Sequence, residues 1–180
     1  HDPGQLSETG QADQFLGTVD IDDELIVDED EPEKDKDRAD EKREYIQHKI
    51  AGMAVGEKIR LSIMGNRDAR MILVRDPNRI VSRAVLKNPR LTESEILMIS
   101  QSKIVNEEIL REIADNRKWA KQYQVKLSLV NNPKTPPHVS LSLMRQLRDS
   151  DVKSLAWNRN LPGAVSSAAR RVVEERKLKH

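Results

Sequence analysis

The chain has 180 residues, with 31 Lys and Arg, 30 Asp and Glu, no Cys, and only one Phe, two Tyr and two Trp. The missing cysteine excludes disulfides, Cys-ligated zinc, iron–sulfur clusters and thiol nucleophiles, and it fits a reducing, cytoplasmic setting. So few aromatics leave any core to Leu, Ile, Val, Ala and Met, which favours interlocked helices over a β-sandwich.

The formal net charge of +1 conceals a division near residue 41. Residues 20–41 carry 13 acidic side chains against Lys34, Lys36 and Arg38, whereas residues 42–180 carry 28 Lys and Arg against 14 Asp and Glu. An acidic tail therefore precedes a basic body of net charge +14. There is no run of about 18 apolar residues and no basic start leading into an apolar stretch, so neither a membrane span nor a signal peptide is expected. The first residue is His1, as in a fragment or a processed chain.

Residues 1–41 mix Gly, Gln, Ser and Thr with the acidic run and cannot bury enough apolar surface to offset the entropy of ordering, so a disordered tail is expected. Within it Phe15, Leu16, Val19, Ile21, Leu25, Ile26 and Val27 form two apolar clusters among acids. They are either incidental hydrophobes of a solvated tail or a linear motif over residues 15–27. Such a motif would fold onto a groove of a partner or of the chain's own basic body. Residues 42–55 read as a lead-in helix, centred on 41–50, or as a linker interrupted by Gly52 and Gly56. A helical domain is expected over 56–178.

From Glu57 onward a tetrad recurs, made of two apolar residues, one of any type, then Asn or Asp. It appears as Ile63-Met64-Gly65-Asn66, Leu73-Val74-Arg75-Asp76, Val85-Leu86-Lys87-Asn88, Ile113-Ala114-Asp115-Asn116, Leu129-Val130-Asn131-Asn132 and Leu155-Ala156-Trp157-Asn158. Pro77, Pro89 and Pro133 follow three of them. Asn tolerates the left-handed conformation that closes a helix and Pro cannot continue one, so each tetrad reads as a helix end. Thr92 with Glu95 makes a capping box ahead of Ile96, Leu97 and Ile99, and Thr135-Pro136-Pro137 leads into Val139, Leu141, Leu143 and Leu147 in the same manner. Asn88 lies 22 residues after Asn66, and Asn132 lies 44, twice that step, after Asn88. Helices of roughly 8 to 14 residues are marginal alone and must be held by stacked neighbours.

The runs 81–92 and 125–137, in which apolar residues close on Asn-Pro before a Thr or Thr-Pro-Pro start, resemble leucine-rich repeat variant units and, more loosely, HEAT-like repeats. The resemblance covers about 120 residues and implies an all-α, right-handed solenoid of alternating α-helices and shorter or 3₁₀ helices, used for binding. Residues 104–119 lack the proline and Asn158 is followed by Arg159, so the pattern does not hold in every unit. The variant-repeat protein that carries an iron–sulfur cluster holds it through cysteines, which this chain lacks.

Catalytic chemistry has no readable candidates, and neither a cofactor nor a metal site is expected. His1, His48, His138 and His180 have no second ligand at helical spacing, and Ser94, Ser100 and Ser102 lack a nucleophile elbow. Walker and dinucleotide fingerprints are absent from the sequence. Glu107, Glu108 and Glu112 fall in the first turns of a helix expected from about Asn106, where carboxylates complement the helix dipole.

Basic side chains are the stronger signal. Arg67, Arg70, Arg75, Arg79, Arg83, Lys87 and Arg90 crowd the first units. Arg117, Lys118, Lys121 and Lys126 surround Trp119 and Tyr123, and Arg170, Arg171, Arg176, Lys177 and Lys179 close the chain. They are either a solvated face, with Trp119 and Tyr123 filling the core, or a surface that tracks phosphates with those aromatics as stacking platforms. Two functions follow: a non-catalytic adaptor or scaffold binding an acidic or peptide-like protein partner, with the acidic tail as an intramolecular mimic, or a nucleic-acid-binding helical repeat. The expected binding residues are Arg67, Arg70, Arg75, Arg79, Arg83, Arg117, Lys118, Lys121, Arg170 and Arg171.

Overall fold

The computed structural model describes residues 21–28 and 36–178, and among them every regular element is a helix. A single 3₁₀ turn, Asp23–Leu25, precedes α1 (Lys36–Ala51), α2 (Val55–Met64), α3 (Arg67–Leu73), α4 (Arg79–Val85), α5 (Glu93–Gln101) and α6 (Glu107–Asp115). Then come α7 (Arg117–Ala120), α8 (Tyr123–Asn131), α9 (Pro137–Met144), α10 (Asp149–Ala156) and α11 (Gly163–Lys177). No helix among the described residues is long and apolar enough to cross a membrane.

Side-chain oxygens set the starts of five successive helices, α3 to α7. Asn66, Asn78, Asn106 and Asn116 accept from the amides of Ala69, Ile80, Glu108 and Lys118, each at 3.0 Å. The Thr92–Glu95 capping box is formed in both directions. Pro137 stands in the first turn of α9, where its missing N–H costs nothing.

Helix ends depart from the left-handed closure expected from sequence. Asn66, Asn116 and Asn132 have φ of −70°, −77° and −87° with extended ψ, ordinary backbone for any residue. The Asn and Asp side chains do the work instead. Oδ1 of Asp76, Asn88, Asn132 and Asn158 accepts from the amide two residues on, at 2.8 to 3.0 Å, arching over Pro77, Pro89, Pro133 and Arg159. The free amide group then reaches back along the chain. Nδ2 of Asn88 donates to the carbonyls of Ser62 and Gly65 at the end of α2, both at 3.1 Å. Nδ2 of Asn132 donates to Ser100 and Ser102 at the end of α5, at 2.8 and 2.9 Å. Each such Asn closes its own helix and satisfies orphan carbonyls of an earlier one.

Packing follows this pairing: α2 lies on α4, α5 on α8, α8 on α9, and α10 on α11. One continuous apolar core runs from Leu25 and Ile46 through Leu73, Ile99, Leu110 and Leu129 to Val165 and Ala169. Trp119 belongs to it, as the core-filling reading expected.

The lead-in helix begins at Lys36, inside the segment read as tail, and residues 21–28 of that segment have a defined place against the body. The remaining tail residues, 1–20 and 29–35, with Phe15, Leu16 and Val19, lie outside the described residues.

Candidate partner-binding surface

Ile21 and Leu25, four residues apart in the acidic segment, are both buried, in the core that also contains Ile46 and Ile50 of α1 and Ala69 and Leu73 of α3. Asn66, at the start of α3, grips the segment by its main chain. Its amide donates to the Leu25 carbonyl at 2.7 Å, and its Nδ2 donates to the carbonyls of Glu24 and Val27 at 2.8 and 3.2 Å. This is the same use of a tetrad asparagine as at Asn88 and Asn132, with residues 24–27 standing where an earlier helix end stands.

Charge fixes the far end of the segment. Asp28 Oδ1 accepts from the Arg67 amide at 2.6 Å, while its Oδ2 lies 3.6 Å from Arg70 and 3.3 Å from Arg90. At the near end Lys49 pairs with Asp22, and that hydrogen bond, followed by the one to Tyr45, raises the Lys49 pKa above its ordinary value. Sequence marks Arg90 only as one of the basic cluster of the first units, and marks neither Asn66 nor Asp28 as a site. The tetrad at Asn66 was the available signal, but its partner lies 42 residues away from it.

Arg70 is withdrawn from solvent, beneath the docked segment whose Asp28 lies 3.6 Å from it. Its side chain is 2% exposed and meets Glu95, 1% exposed, through Nε–Oε1 at 2.8 Å and Nη2–Oε2 at 3.1 Å, while Nη1 donates to the Gly65 carbonyl at 2.9 Å. A guanidinium can be buried only with such a fork of acceptors, and Glu95 and Gly65 supply it. Burial alone would push the Glu95 carboxyl up; the hydrogen bonds from Arg70 and then from the Thr92 amide and hydroxyl outweigh it and hold the pKa below the usual 4.5.

Arg79 and Arg83 are exposed but engaged, with Glu108 at 2.7 Å and with Glu112, so two of the carboxylates read as helix-dipole partners tie α4 to α6. Arg170 donates from Nε to the Ala156 carbonyl at 3.1 Å and lies 5.4 Å from the centre of the exposed Trp157 ring. Arg67 sits beside the docked segment, its amide on Asp28 and its guanidinium 3.8 Å from the Met98 sulfur. Arg75, Arg117, Lys118, Lys121 and Arg171 are exposed and meet no carboxylate among the described residues. Arg171 lines an open groove of about 450 Å³ between α9 and α11 with Leu141, Met144, Arg145 and Val172. The basic candidates thus form no single patch: one group surrounds the docked acidic segment, one ties helices together, and one faces solvent.

Tyr123 is not a free stacking platform. Its hydroxyl donates to Asp151 and accepts from the Arg148 amide at 2.9 Å, and the Arg148 guanidinium covers the ring at 4.6 Å. Among the described residues no three of His, Cys, Asp and Glu are grouped so as to hold a metal ion. Comparison of the chain with family models, curated proteins and solved structures gives no match.

Proposed function

We propose that this chain is a non-catalytic adaptor or scaffold, a right-handed α-solenoid of the leucine-rich repeat variant or HEAT-like kind, whose basic surface binds an acidic or peptide-like protein partner. The observation that carries this reading is that the helices already hold one acidic, apolar peptide, residues 21–28 of the same chain, through Asn66, Arg67, Arg70 and Arg90. The recurring Asn-to-carbonyl links from Asn88 and Asn132 support the stacked-repeat arrangement. Arg75, Arg117, Lys118, Lys121 and Arg171 are exposed and form no ion pair among the described residues, so their charge is open to a partner. A reducing, cytoplasmic setting suits a chain without cysteine.

Nucleic-acid binding is the second reading. It is favoured by Trp157, whose ring is 78% exposed with the Arg170 guanidinium 5.4 Å from its centre, pairing an aromatic surface for a base with a cation for a phosphate. It loses the two aromatics first considered, since Trp119 is in the core and Tyr123 is covered. Titration against poly-glutamate and against a single-stranded oligonucleotide of equal charge separates the readings. The adaptor reading expects tighter binding of the polypeptide, abolished by Arg117→Glu with Lys118→Glu and Lys121→Glu. Tighter binding of the oligonucleotide, with affinity falling steeply in log salt and lost on Trp157→Ala, would overturn it.

A further inference from the structure

We infer that the end groove formed by α1, α3 and Arg90 is an exchangeable peptide-recognition site, filled in cis by residues 21–28. In trans it takes a partner's acidic segment with two aliphatic anchors four residues apart and a carboxylate three residues after the second. The inference rests on the adaptor reading above and names the partner class for this part of the surface.

The contacts define what is read. Asn66 binds only main-chain carbonyls, those of Glu24, Leu25 and Val27, so it demands a turn and no particular side chain. Ile21 and Leu25 are the two anchors, 8% and 0% exposed, whereas Val27 between them and the acid is 61% exposed and unread. Asp28 is read three ways, by the Arg67 amide, Arg70 and Arg90. The flanking acids Asp22 and Glu24 meet a body of net charge +14, of which Lys49 is the nearest contact. Any peptide with this turn, these anchors and this acid presents the same groups.

The hold on the cis segment is slight. Two buried aliphatic side chains and the partly buried Ile26 are set against the ordering of eight residues, and the Asp22 and Asp28 side chains remain 56% and 35% exposed, so their ion pairs are screened by water and salt. Tethering supplies the rest, since an attached segment acts at roughly millimolar local concentration. A partner peptide therefore competes with a tethered segment that lends only its anchors, Ile21 and Leu25, to the edge of the core.

The test uses the full chain and a labelled peptide of sequence VDIDDELIVDED, residues 19–30, followed by fluorescence anisotropy. Release of the cis segment by Leu25→Ala with Asp28→Ala should leave the helical circular dichroism in place and tighten peptide binding at least about tenfold over wild type, as removal of a tethered competitor requires. Peptides carrying Leu25→Ala or Asp28→Asn should bind at least about tenfold more weakly, and Arg90→Ala in the released chain should weaken the parent peptide in the same way. Absence of binding to a folded released chain overturns the proposal, as does equal displacement by inorganic polyphosphate. A wild-type dimer dissolved by excess peptide would assign the groove to a second copy and overturn the partner assignment. Should the released chain unfold, amide exchange on wild type decides. The Asn66 and Arg67 amides must exchange at least about a hundredfold faster than the Ser100 amide if the segment leaves a folded body, and co-exchange with the core overturns the proposal. Loss of poly-glutamate binding by Arg117, Lys118 and Lys121 is scored separately, so the two readings fail independently.

Discussion

Arg70 on α3 and Glu95 on α5 face each other as a bidentate pair at 2.8 and 3.1 Å, with both side chains almost wholly withdrawn from water. Glu95 also accepts from the Thr92 amide at 2.9 Å and its hydroxyl at 2.8 Å, so one carboxylate closes the capping box of α5 and neutralises a cation from an earlier helix. Removing one member leaves the other as an uncompensated buried charge, a loss of about 3–5 kcal/mol. Arg70→Met should therefore lower the free energy of unfolding in urea by that amount. Arg70→Met with Glu95→Leu should recover part of it, although Thr92 loses its partner. A single-variant loss under about 1 kcal/mol would show that the pair is not buried in solution.

The same carboxylate gives the stability a pH signature. Its pKa in the folded chain lies below the ordinary 4.5, so Glu95 contributes stability that is fully present above that value and is lost as pH falls through the folded value. Wild type should exceed Glu95→Gln in stability by a constant margin from pH 7 to about 5.5, and the margin should shrink progressively below about pH 4.5. Urea midpoints of both chains across that range measure it. A margin that grows on acidification would reverse the sign assigned to Glu95.

Asn132 tests the helix-end device. Its side chain makes three hydrogen bonds, to the Ser100 and Ser102 carbonyls and from the Lys134 amide, in a buried position. Asn132→Ala strands those groups at about 1 kcal/mol each, a total near 3 kcal/mol. Asn158→Ala should cost less than about 1 kcal/mol, because its amide reaches only the exposed Asn131 side chain at 3.3 Å. Pro133→Ala should also stay under about 1 kcal/mol, since Asn132 and not the proline ends α8. Thermal scans of the three variants rank them, and a Pro133 effect larger than that of Asn132 would return the stop to the proline.

Much of this local grammar was legible in the sequence. The tetrads end helices, Thr92 and Glu95 cap α5, Asn106 opens α6 with Glu107 and Glu108 in its first turn, and Trp119 fills the core, all through interactions within a few residues. The left-handed asparagine was a local explanation for a non-local device: the carbonyls that Asn88 and Asn132 satisfy lie 23 to 32 residues earlier, and only the packing of the helices brings them into reach. Arg70 was misread for the same reason. Nothing in its own helix marks it as buried, and its partner is 25 residues away. The docking of residues 21–28 was one of two readings the apolar cluster allowed, and the geometry that selects it spans 39 to 42 residues.

Gly65 and Gly56 make opposite predictions from the same residue type. A Cβ at Gly65 would lie 2.5 Å from the Leu61 carbonyl oxygen and 3.0 Å from the Ala69 Cβ, both fixed by helices, while φ of −63° imposes no conformational demand for glycine. The requirement is close approach, and it also holds in place the carbonyl of Gly65 itself, which accepts from Arg70 and Asn88. Gly65→Ala should cost about 1–3 kcal/mol, as overpacking does, and should loosen the Arg70 and Asn88 contacts together. A Cβ at Gly56, inside α2, meets nothing within 4 Å, so Gly56→Ala should instead stabilise by about 0.5–1 kcal/mol through lost unfolded-state entropy. Urea unfolding of the two variants reads the difference directly; the same sign for both would mean that α2 does not end against α3 as closely as Leu61 and Ala69 require.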